Sequence, residues 1–449
     1  MDGYLEVEQS SASQATTDDQ EIFDNINGRM HGPMIGFMEK HFGNFQYTGQ
    51  GASAAPSPDN FLQWFSTYAS RELDGARGLW HISQDSIASG HESTKGNGSY
   101  IMIHSEEMPS ARKIYLESEP VASRQDLVGT GTTCYRVRMS ESRRWSSILK
   151  FKWRWARERP ENELLELAKK NCVWGAVSLD YYKELERTAN LRRGLRWGAQ
   201  RKFTSLPSPE THRGVEEQRG KVDYNADGCS DYTEETSNFF QNRILTCTIT
   251  SPAGRPLHTF QSLTELLQVF RDAVICHRSL YHDAKILHQD ISSGNMIILD
   301  GQGEGKPKGI LIDLDSAIQL TEGSKTERHT YRHDLESFLY VFLWTVISSH
   351  AENPPETSKL RRWSDGDWDE LAVRKCLDMD QDSFRDILTE FTPEFYPLKS
   401  LAESLRQILF PLKDGVIWTG THSSPEAVDK LYDGMMHAFE GAIASEGGR

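Results

Sequence analysis

The first half of the chain alternates hydrophobic and polar residues over short runs. Such alternation places one set of side chains on a buried sheet face and the other set on a polar face, so it predicts β-strands. The runs with this pattern are 101–104, 113–117, 134–139, 147–151 and 243–250. In the fourth run Lys150 follows Leu149, so the two side chains leave the strand on opposite faces.

The second half places its hydrophobic residues at helical spacing. Ser262 and Glu265 form the capping-box pattern that begins many helices. Apolar residues follow at spacings of three and four and predict an amphipathic helix; they are Leu263, Leu266, Leu267, Phe270 and Val274. The segment 335–344 is apolar nearly all round, which predicts a buried helix.

Polar stretches between these elements divide the chain into regions. Residues 1–28 are acidic and polar and predict a disordered tail. Residues 29–105 are expected to form a helical extension and a linker, with a short helix at 34–45. The remaining regions are a small lobe over 106–255, a flexible insert within it at about 204–237, and a large lobe over 256–445.

Composition excludes several classes of protein. The 449 residues are 37% hydrophobic and 26% charged, which is ordinary for a folded protein and long enough for two lobes with added segments. A net charge of −15 argues against nucleic acid binding across the surface, since phosphates need clustered cations. No apolar run approaches the ~18 residues that span a membrane.

Two further observations bear on location. The first residues lack the basic and apolar regions of a secretory signal. The six cysteines lack metal-type spacing and are expected to be reduced thiols. We therefore expect an intracellular protein of the cytoplasm or the nucleus.

The strongest chemical pattern lies around residue 290. His288 precedes Asp290 by two residues, Asn295 follows it by five, and a later apolar run ends at Asp313. Transfer of a γ-phosphoryl group requires a carboxylate that accepts the proton of the incoming hydroxyl, together with oxygen ligands for Mg²⁺. We expect Asp290 to be this base and Asn295 and Asp313 to be the metal ligands, with His288 in a structural role.

Part of a nucleotide site is expected in the small lobe. Gly129 and Gly131 precede the strand at 134–139, which is typical of a glycine-rich turn over phosphates. A plain hairpin turn is the alternative. Lys150, on the strand at 147–151, is expected to hold the α- and β-phosphates of ATP and to pair with a glutamate.

Two glutamates compete for the pairing with Lys150. On a helix, Glu161 shares a face with the apolar Leu164 and Leu165 and points inward, whereas Glu163 lies on the far side. Pro160 is expected at the first helical position. We therefore assign the pairing to Glu161, with a solvated pair of glutamates as the alternative.

These motifs resemble those of the fungal-type protein kinase-like family, divergent members of the eukaryotic protein kinase fold, over roughly residues 100 to 440. The segments that carry the resemblance are 126–132, 150–153, 161–165, 286–292 and 332–337. The resemblance implies an α+β fold with a small β-rich N-lobe and a larger helical C-lobe. It also implies ATP with Mg²⁺, serine/threonine phosphorylation of a protein substrate, and Asp334 as a brace for the catalytic loop.

Three departures from the family pattern leave other functions open. Gln289 replaces the arginine that pairs with a phosphorylated activation loop, and Ser292 replaces the lysine of serine/threonine kinases. Only 18 residues separate Asp315 from Asp334, too few for the usual substrate platform, unless coding sequence was skipped. The alternatives are a small-molecule phosphotransferase of the aminoglycoside or choline kinase type and an inactive interaction module. The substrate and the oligomeric state stay open.

Residues 223–234 match a calcium-loop pattern. Ser230, however, stands where such loops normally carry a hydrophobic residue, and neither flank predicts an amphipathic helix. We therefore expect a polar linker there.

Overall fold

The computed structural model of the chain describes two compact units. The described residues are 99–103, 112–123, 130–139, 142–193, 242–301, 303, 305–320, 329–364 and 366–447, with short strands at 30–31, 34–35, 88–91, 196–197, 200–201 and 230–231. One unit comprises residues 1–80 and 186–244, and the other comprises residues 81–185 and 245–449. The tail predicted at 1–28 lies outside the described residues, as does most of the segment 204–237.

The described elements follow the predicted order of strands before helices. The strands are β1 (Met30–His31), β2 (Met34–Ile35), β3 (Ala88–His91), β4 (Ser99–Ile103), β5 (Arg112–Leu116), β6 (Ala122–Ser123), β7 (Thr133–Met139), β8 (Ser147–Trp155), β9 (Ser178–Arg187), β10 (Arg196–Trp197), β11 (Gln200–Arg201), β12 (Ser230–Asp231), β13 (Arg243–Ser251), β14 (Arg255–Pro256), β15 (Ile286–Leu287), β16 (Met296–Ile298), β17 (Gly309–Leu311), β18 (Ile318–Gln319), β19 (Leu412–Lys413) and β20 (Val416–Ile417). The α-helices are α1 (Glu161–Lys170), α2 (Thr188–Arg192), α3 (Leu263–Asp283), α4 (Tyr331–Ser348), α5 (Trp368–Asp378), α6 (Gln381–Thr389), α7 (Lys399–Leu409) and α8 (Pro425–Gly447). Short 3₁₀ turns lie at Leu257–Thr259, Ser293–Asn295, Lys359–Trp363 and Pro393–Leu398.

One curved sheet forms the small lobe of the larger unit. Its strand order is β3-β4-β5-β7-β8-β13-β9, with β6 paired to β7. Ile101 on β4 lies opposite Ile114 on β5, and both are fully buried. The sheet therefore begins before residue 106, where the sequence predicts the lobe to start, because β4 buries its apolar face in the same core.

The strand β8 and the helix α1 follow the sequence pattern closely. Along β8, Ser147, Leu149 and Phe151 are buried, and Lys150 points to the other face. Pro160 is the N-cap of α1 and has an extended conformation, whereas the sequence predicts it at the first helical position. The helix therefore begins one residue later, at Glu161. Helix α1 then buries Leu164, Leu165 and Ala168.

The large lobe is built around α3. The Ser262 hydroxyl accepts a hydrogen bond from the Glu265 N–H at 3.1 Å, so the first half of the predicted capping box is present. The Glu265 carboxylate bonds the guanidinium of Arg255 and the N–H of Gln261 instead of completing the box. Helix α4 is buried along most of its length, as its sequence predicts, and α8 packs along α3.

Small β-ladders position the loops between the large-lobe helices. Strand β16 pairs with β14 and β17, and β15 pairs with β18. These ladders hold the segments that follow β15 and β17 next to each other. Among the described helices, none is long and apolar enough to cross a membrane.

The unit of residues 1–80 and 186–244 has short described strands. β1 pairs antiparallel with β11, and β10 lies between β2 and β12. The sequence predicts a helix from residue 34, but Met34–Ile35 is a strand because its backbone pairs with Arg196–Trp197. Residues 36–45 lie outside the described part.

Candidate active site

The loop after β15 carries the strongest sequence motif. It runs from His288 to Ser292 and leads into the 3₁₀ turn Ser293–Asn295. Within it, Gln289 has a φ of +62°, in the left-handed region that costs energy for a residue with a Cβ. Contacts from outside the loop must therefore fix its shape.

Asp334 provides two of these contacts. Its Oδ2 accepts hydrogen bonds from the backbone N–H groups of His288 and Gln289, each at 3.2 Å. Thr330 caps helix α4, so Asp334 lies one turn inside the helix and is not the cap. The predicted contact of Asp334 with the loop 288–292 is therefore present.

His288 is fully buried and has a partner at each ring nitrogen. Its Nε2 lies 3.1 Å from the Ile312 carbonyl oxygen, and its Nδ1 accepts from the Asp290 N–H at 3.3 Å. This pattern places the ring proton on Nε2. Burial is the main cause that lowers the pKa of His288, so the ring is neutral at physiological pH. The expected structural role fits these contacts.

Asn295 holds Asp290 in place. The Asn295 amide nitrogen donates to the Asp290 carbonyl oxygen at 3.0 Å and to its carboxylate Oδ2 at 2.8 Å. The Asn295 side-chain oxygen is therefore the atom left for another partner. Asp290 itself is exposed.

Asp313 follows Ile312, whose backbone contacts the 3₁₀ turn that contains Asn295. The Ile312 N–H donates to the Asn295 carbonyl oxygen at 2.9 Å, which places the residue after β17 beside the 3₁₀ turn. Asp313 has a φ of +67°, a conformation that turns the chain away from the strand direction. Asn295 and Asp313 thus approach each other from separate elements.

The ammonium of Lys150 joins the two lobes. Its Nζ lies 3.1 Å from Glu161 Oε2, 2.9 Å from Asp313 Oδ1 and 2.5 Å from Asp315 Oδ2. Glu161 makes the contact to Lys150, whereas Glu163 pairs with Arg159 at the surface. The three carboxylates lie close enough together to share a cation.

The charged groups in this cluster shift the pKa values of one another. Burial alone would lower the pKa of the Lys150 ammonium, but Glu161, Asp313 and Asp315 raise it well above its usual value. Burial would raise the pKa of Asp313, but Lys150, a hydrogen bond with Asp315 and Lys152 together hold that pKa well below its usual range. Burial raises the pKa of Glu161 against the effect of Lys150. At neutral pH, Lys150 is therefore charged and Asp313 is ionised.

Sequence reasoning did not assign a role to Lys152 and Asp315. The Lys152 Nζ lies 2.7 Å from Asp315 Oδ2, so this carboxylate contacts two lysines. Strand alternation could have predicted that Lys152 faces the cluster. Residues two apart on a strand share a face, and Lys150 faces the cluster. The pairing with Asp315 spans more than 160 positions in sequence and has no local signal.

The predicted glycine-rich turn is described in part. Gly131 has a φ of +55°, a left-handed conformation that glycine adopts without steric cost. The Trp153 N–H donates to the Thr130 carbonyl oxygen at 2.8 Å and ties the turn to β8. Gly129 lies outside the described residues. Cys134, which follows the turn, lies opposite Lys150, and burial raises the pKa of its thiol to about 11.

The connection between the lobes follows β13. The sequence suggests that an adenine ring bonds to backbone groups in this connection, at 251–256. Two of these groups already have partners: the Ala253 N–H donates to the Ser146 carbonyl oxygen at 2.7 Å, and the Gly254 carbonyl oxygen accepts from Arg136 at 2.8 Å. These two groups therefore have partners within the described part of the chain.

A cavity of about 450 Å³ lies beside this connection, next to Ser251 and Pro252. Its lining includes none of Lys150, Glu161, Asp290, Asn295 and Asp313. We assign the chemistry to the Lys150 cluster, because that is where the titratable groups converge.

Comparisons with known proteins come from both sequence and structure. A family model described as fungal protein kinase matches residues 82–346, which is more than half of the chain. Among solved structures, the autoinhibited serine kinase domain of the giant muscle protein titin matches with a TM-score of 0.35 and 9% identity, over 73% of this chain and 81% of that chain. No curated protein sequence matches.

Proposed function

We propose that this chain, which belongs to the fungal protein kinase family, transfers the γ-phosphoryl group of ATP to a serine or threonine hydroxyl of a protein. Its architecture is the two-lobed α+β fold of protein kinases, with a β-rich small lobe and a helical large lobe. Membership of the family supports a kinase-like phosphotransferase activity.

The observation that carries the proposal is the contact of Lys150 with Asp313. This hydrogen bond of 2.9 Å joins the strand β8 of the small lobe to the segment after β17 in the large lobe. A phosphate group held near this contact would meet a cation from one lobe and a carboxylate from the other. Phosphoryl transfer needs this combination, because its catalysis consists mainly of positioning and charge neutralisation.

The donor set suits magnesium. The Asn295 side-chain oxygen and the ionised Asp313 carboxylate are hard oxygen ligands on separate elements. Mg²⁺ typically takes one or two such ligands and completes its shell with water and phosphate oxygens. When bound, Mg·ATP supplies the phosphoryl group and the metal neutralises charge on its phosphates.

The remaining residues of the site act on the hydroxyl substrate and on the phosphates. Asp290 is oriented by the Asn295 amide and would accept the proton of the attacking hydroxyl. Lys150 would bind the α- and β-phosphates while Glu161 fixes its direction. Gly129 and Gly131 belong to the turn over the phosphates.

The test uses two variants of the full chain. Mg·ATP is expected to raise the melting temperature of the wild-type protein, and Lys150→Ala is expected to weaken this effect. With ATP labelled at the γ-phosphate, slow formation of phosphoserine or phosphothreonine is expected, and Asp290→Asn is expected to abolish it while ATP still binds. An unchanged melting temperature at millimolar Mg·ATP would contradict nucleotide binding.

A small-molecule phosphotransferase is the second candidate. The 18 residues between Asp315 and Asp334 favour it, because a small alcohol needs no extended platform. Label that appears in choline or an aminoglycoside, but in no protein, would select this function. ATP binding with no transfer to any acceptor would select the inactive interaction module.

A further inference from the structure

The hydrogen-bonding capacity of Lys150 is fully used by carboxylates. An ammonium group has three N–H donors. In the structure, Lys150 Nζ lies within 3.1 Å of one oxygen from each of Glu161, Asp313 and Asp315. A phosphate oxygen can therefore bond Lys150 only if one of these carboxylates moves away.

Glu161 and Asp313 have additional ties within the cluster. The other oxygen of Glu161 accepts from the Leu314 N–H at 3.1 Å, and Glu161 lies on the helix α1. Asp313 Oδ1 also accepts from the Asp315 N–H at 3.3 Å. These contacts hold both carboxylates to the backbone around residue 314.

Asp315 is placed differently. It lies in a turn closed by the Ala317 N–H and the Leu314 carbonyl oxygen. Its Oδ2 contacts both lysines, Lys150 at 2.5 Å and Lys152 at 2.7 Å. An anion that neutralises both lysines would therefore replace the two contacts that hold Asp315 Oδ2.

Lys152 is a second cation for which Asp315 and a phosphate group would compete. It lies two residues after Lys150 on β8, so both side chains leave the same face of the strand, roughly 7 Å apart along it. Its side chain is only 14% exposed, and Asp315 neutralises it. A polyphosphate has several anionic groups in a row and matches two lysines on one strand face.

We propose that Asp315 is an internal counter-ion that competes with the phosphates of the nucleotide for Lys150 and Lys152. The inference rests on the proposed function, since it requires a nucleotide in the cleft. When Asp315 turns away, Lys150 regains a free donor, and Lys152 becomes a second phosphate-binding residue. Asp315 thus sets the affinity for nucleotide without contacting it.

The test measures Mg·ATP binding to the full chain by calorimetry, so it does not depend on turnover. Asp315→Asn keeps the shape of the side chain and removes its charge. We expect the dissociation constant to fall about tenfold, which corresponds to about 1.4 kcal/mol, because the phosphates no longer compete with a charged carboxylate for the two lysines. Glu163→Gln is the matched control, because Glu163 pairs with Arg159 outside the cluster. It removes one negative charge from α1 and should leave the affinity unchanged.

Lys152→Gln in the Asp315→Asn background tests the second cation. We expect this double variant to lose most of the gained affinity, because the phosphates then meet Lys150 alone. A double variant that binds as tightly as Asp315→Asn would overturn the assignment of Lys152.

The outcomes separate this inference from the proposed function. If wild-type protein binds Mg·ATP and Asp315→Asn binds equally or more weakly, the counter-ion role is wrong and the kinase assignment stands. If Asp315→Asn raises the Mg²⁺ concentration needed for binding, Asp315 is a metal ligand, which also overturns the proposal. If neither protein binds nucleotide, both the inference and the proposed function fail.

Discussion

His277 Nε2 lies 2.8 Å from Asp334 Oδ2, and both side chains are buried. The other ring nitrogen of His277 lies 2.8 Å from the hydroxyl of Tyr432, on α8. The same Asp334 oxygen accepts from the backbone of the loop that carries Asp290. A chain of hydrogen bonds therefore links the helical core of the large lobe to the loop 288–292.

The first prediction concerns this link. Asp334→Asn removes the negative charge that bonds His277 and the N–H groups of the loop. The buried donors then have a weaker, neutral acceptor. Breaking a buried pair in this way typically costs about 3–5 kcal/mol, so the free energy of unfolding in urea should fall strongly. Asp433→Asn, which removes a surface pair with Arg278, should cost much less. Equal losses in the two variants would show that Asp334 does not anchor the fold.

The second prediction concerns pH. Because burial lowers the pKa of His288 in the folded state, the unfolded chain binds more protons between that pKa and about 6.5. Stability should therefore rise as the pH increases through this window. Urea denaturation at several pH values measures the slope. His288→Asn should make the slope less steep, and the exposed His437→Gln should retain it. If the stability of His288→Asn depends on pH as steeply as that of the wild-type protein, His288 is not a source of this pH dependence.

The third prediction concerns the strand that leads to Asp313. A Cβ on Gly309 would lie 2.4 Å from the carbonyl oxygen of Val269 on α3. Gly309→Ala must therefore push β17 away from α3, and overpacking of this kind typically costs about 1–3 kcal/mol. Gly441→Ala on α8 meets no atom within 4 Å and should stabilise the helix by about 0.5–1 kcal/mol. Chemical denaturation should give a lower free energy of unfolding for Gly309→Ala and a higher one for Gly441→Ala.

Local sequence pattern predicted much of the fold and the pairing within the site. Alternation predicted β4, β5, β7, β8 and β13 but not β9, and the apolar stretch 335–344 predicted the buried helix α4. Helical spacing selected Glu161 over Glu163, because only one of them shares the buried face of Leu164. The resemblance to the fungal-type family is confirmed by the family match, which covers 82–346 and so only part of the predicted range of roughly 100–440.

Contacts between distant segments were not predictable from the sequence. Asp315 contacts Lys150 and Lys152 because the lobes bring residues from β8 and the segment after β17 together. Arg136 reaches the Gly254 carbonyl oxygen across more than a hundred residues. Such contacts depend on how sheets and helices pack, and neither propensity nor periodicity encodes them locally.

The last prediction concerns the short segment between Asp315 and Asp334. Strand β18 ends at Gln319 and helix α4 begins at Tyr331, so only a short connection lies between them. We predict that this connection is too short to form a ledge for a peptide. Without a ledge, a peptide hydroxyl is not held near Asp290, and proximity contributes a large part of enzymatic rate. The unmodified chain should therefore bind ATP and transfer phosphate only slowly to generic proteins.

Grafting the full activation segment of a relative between Asp315 and Asp334 should raise the rate of transfer to casein. A flexible glycine–serine insert of equal length should not, because it adds length without a defined surface. The graft combined with Asp290→Asn should be inactive, which ties the gain to the same base. Rapid phosphorylation of casein by the unmodified chain, lost in Asp290→Asn, would show that the short segment already holds a protein substrate.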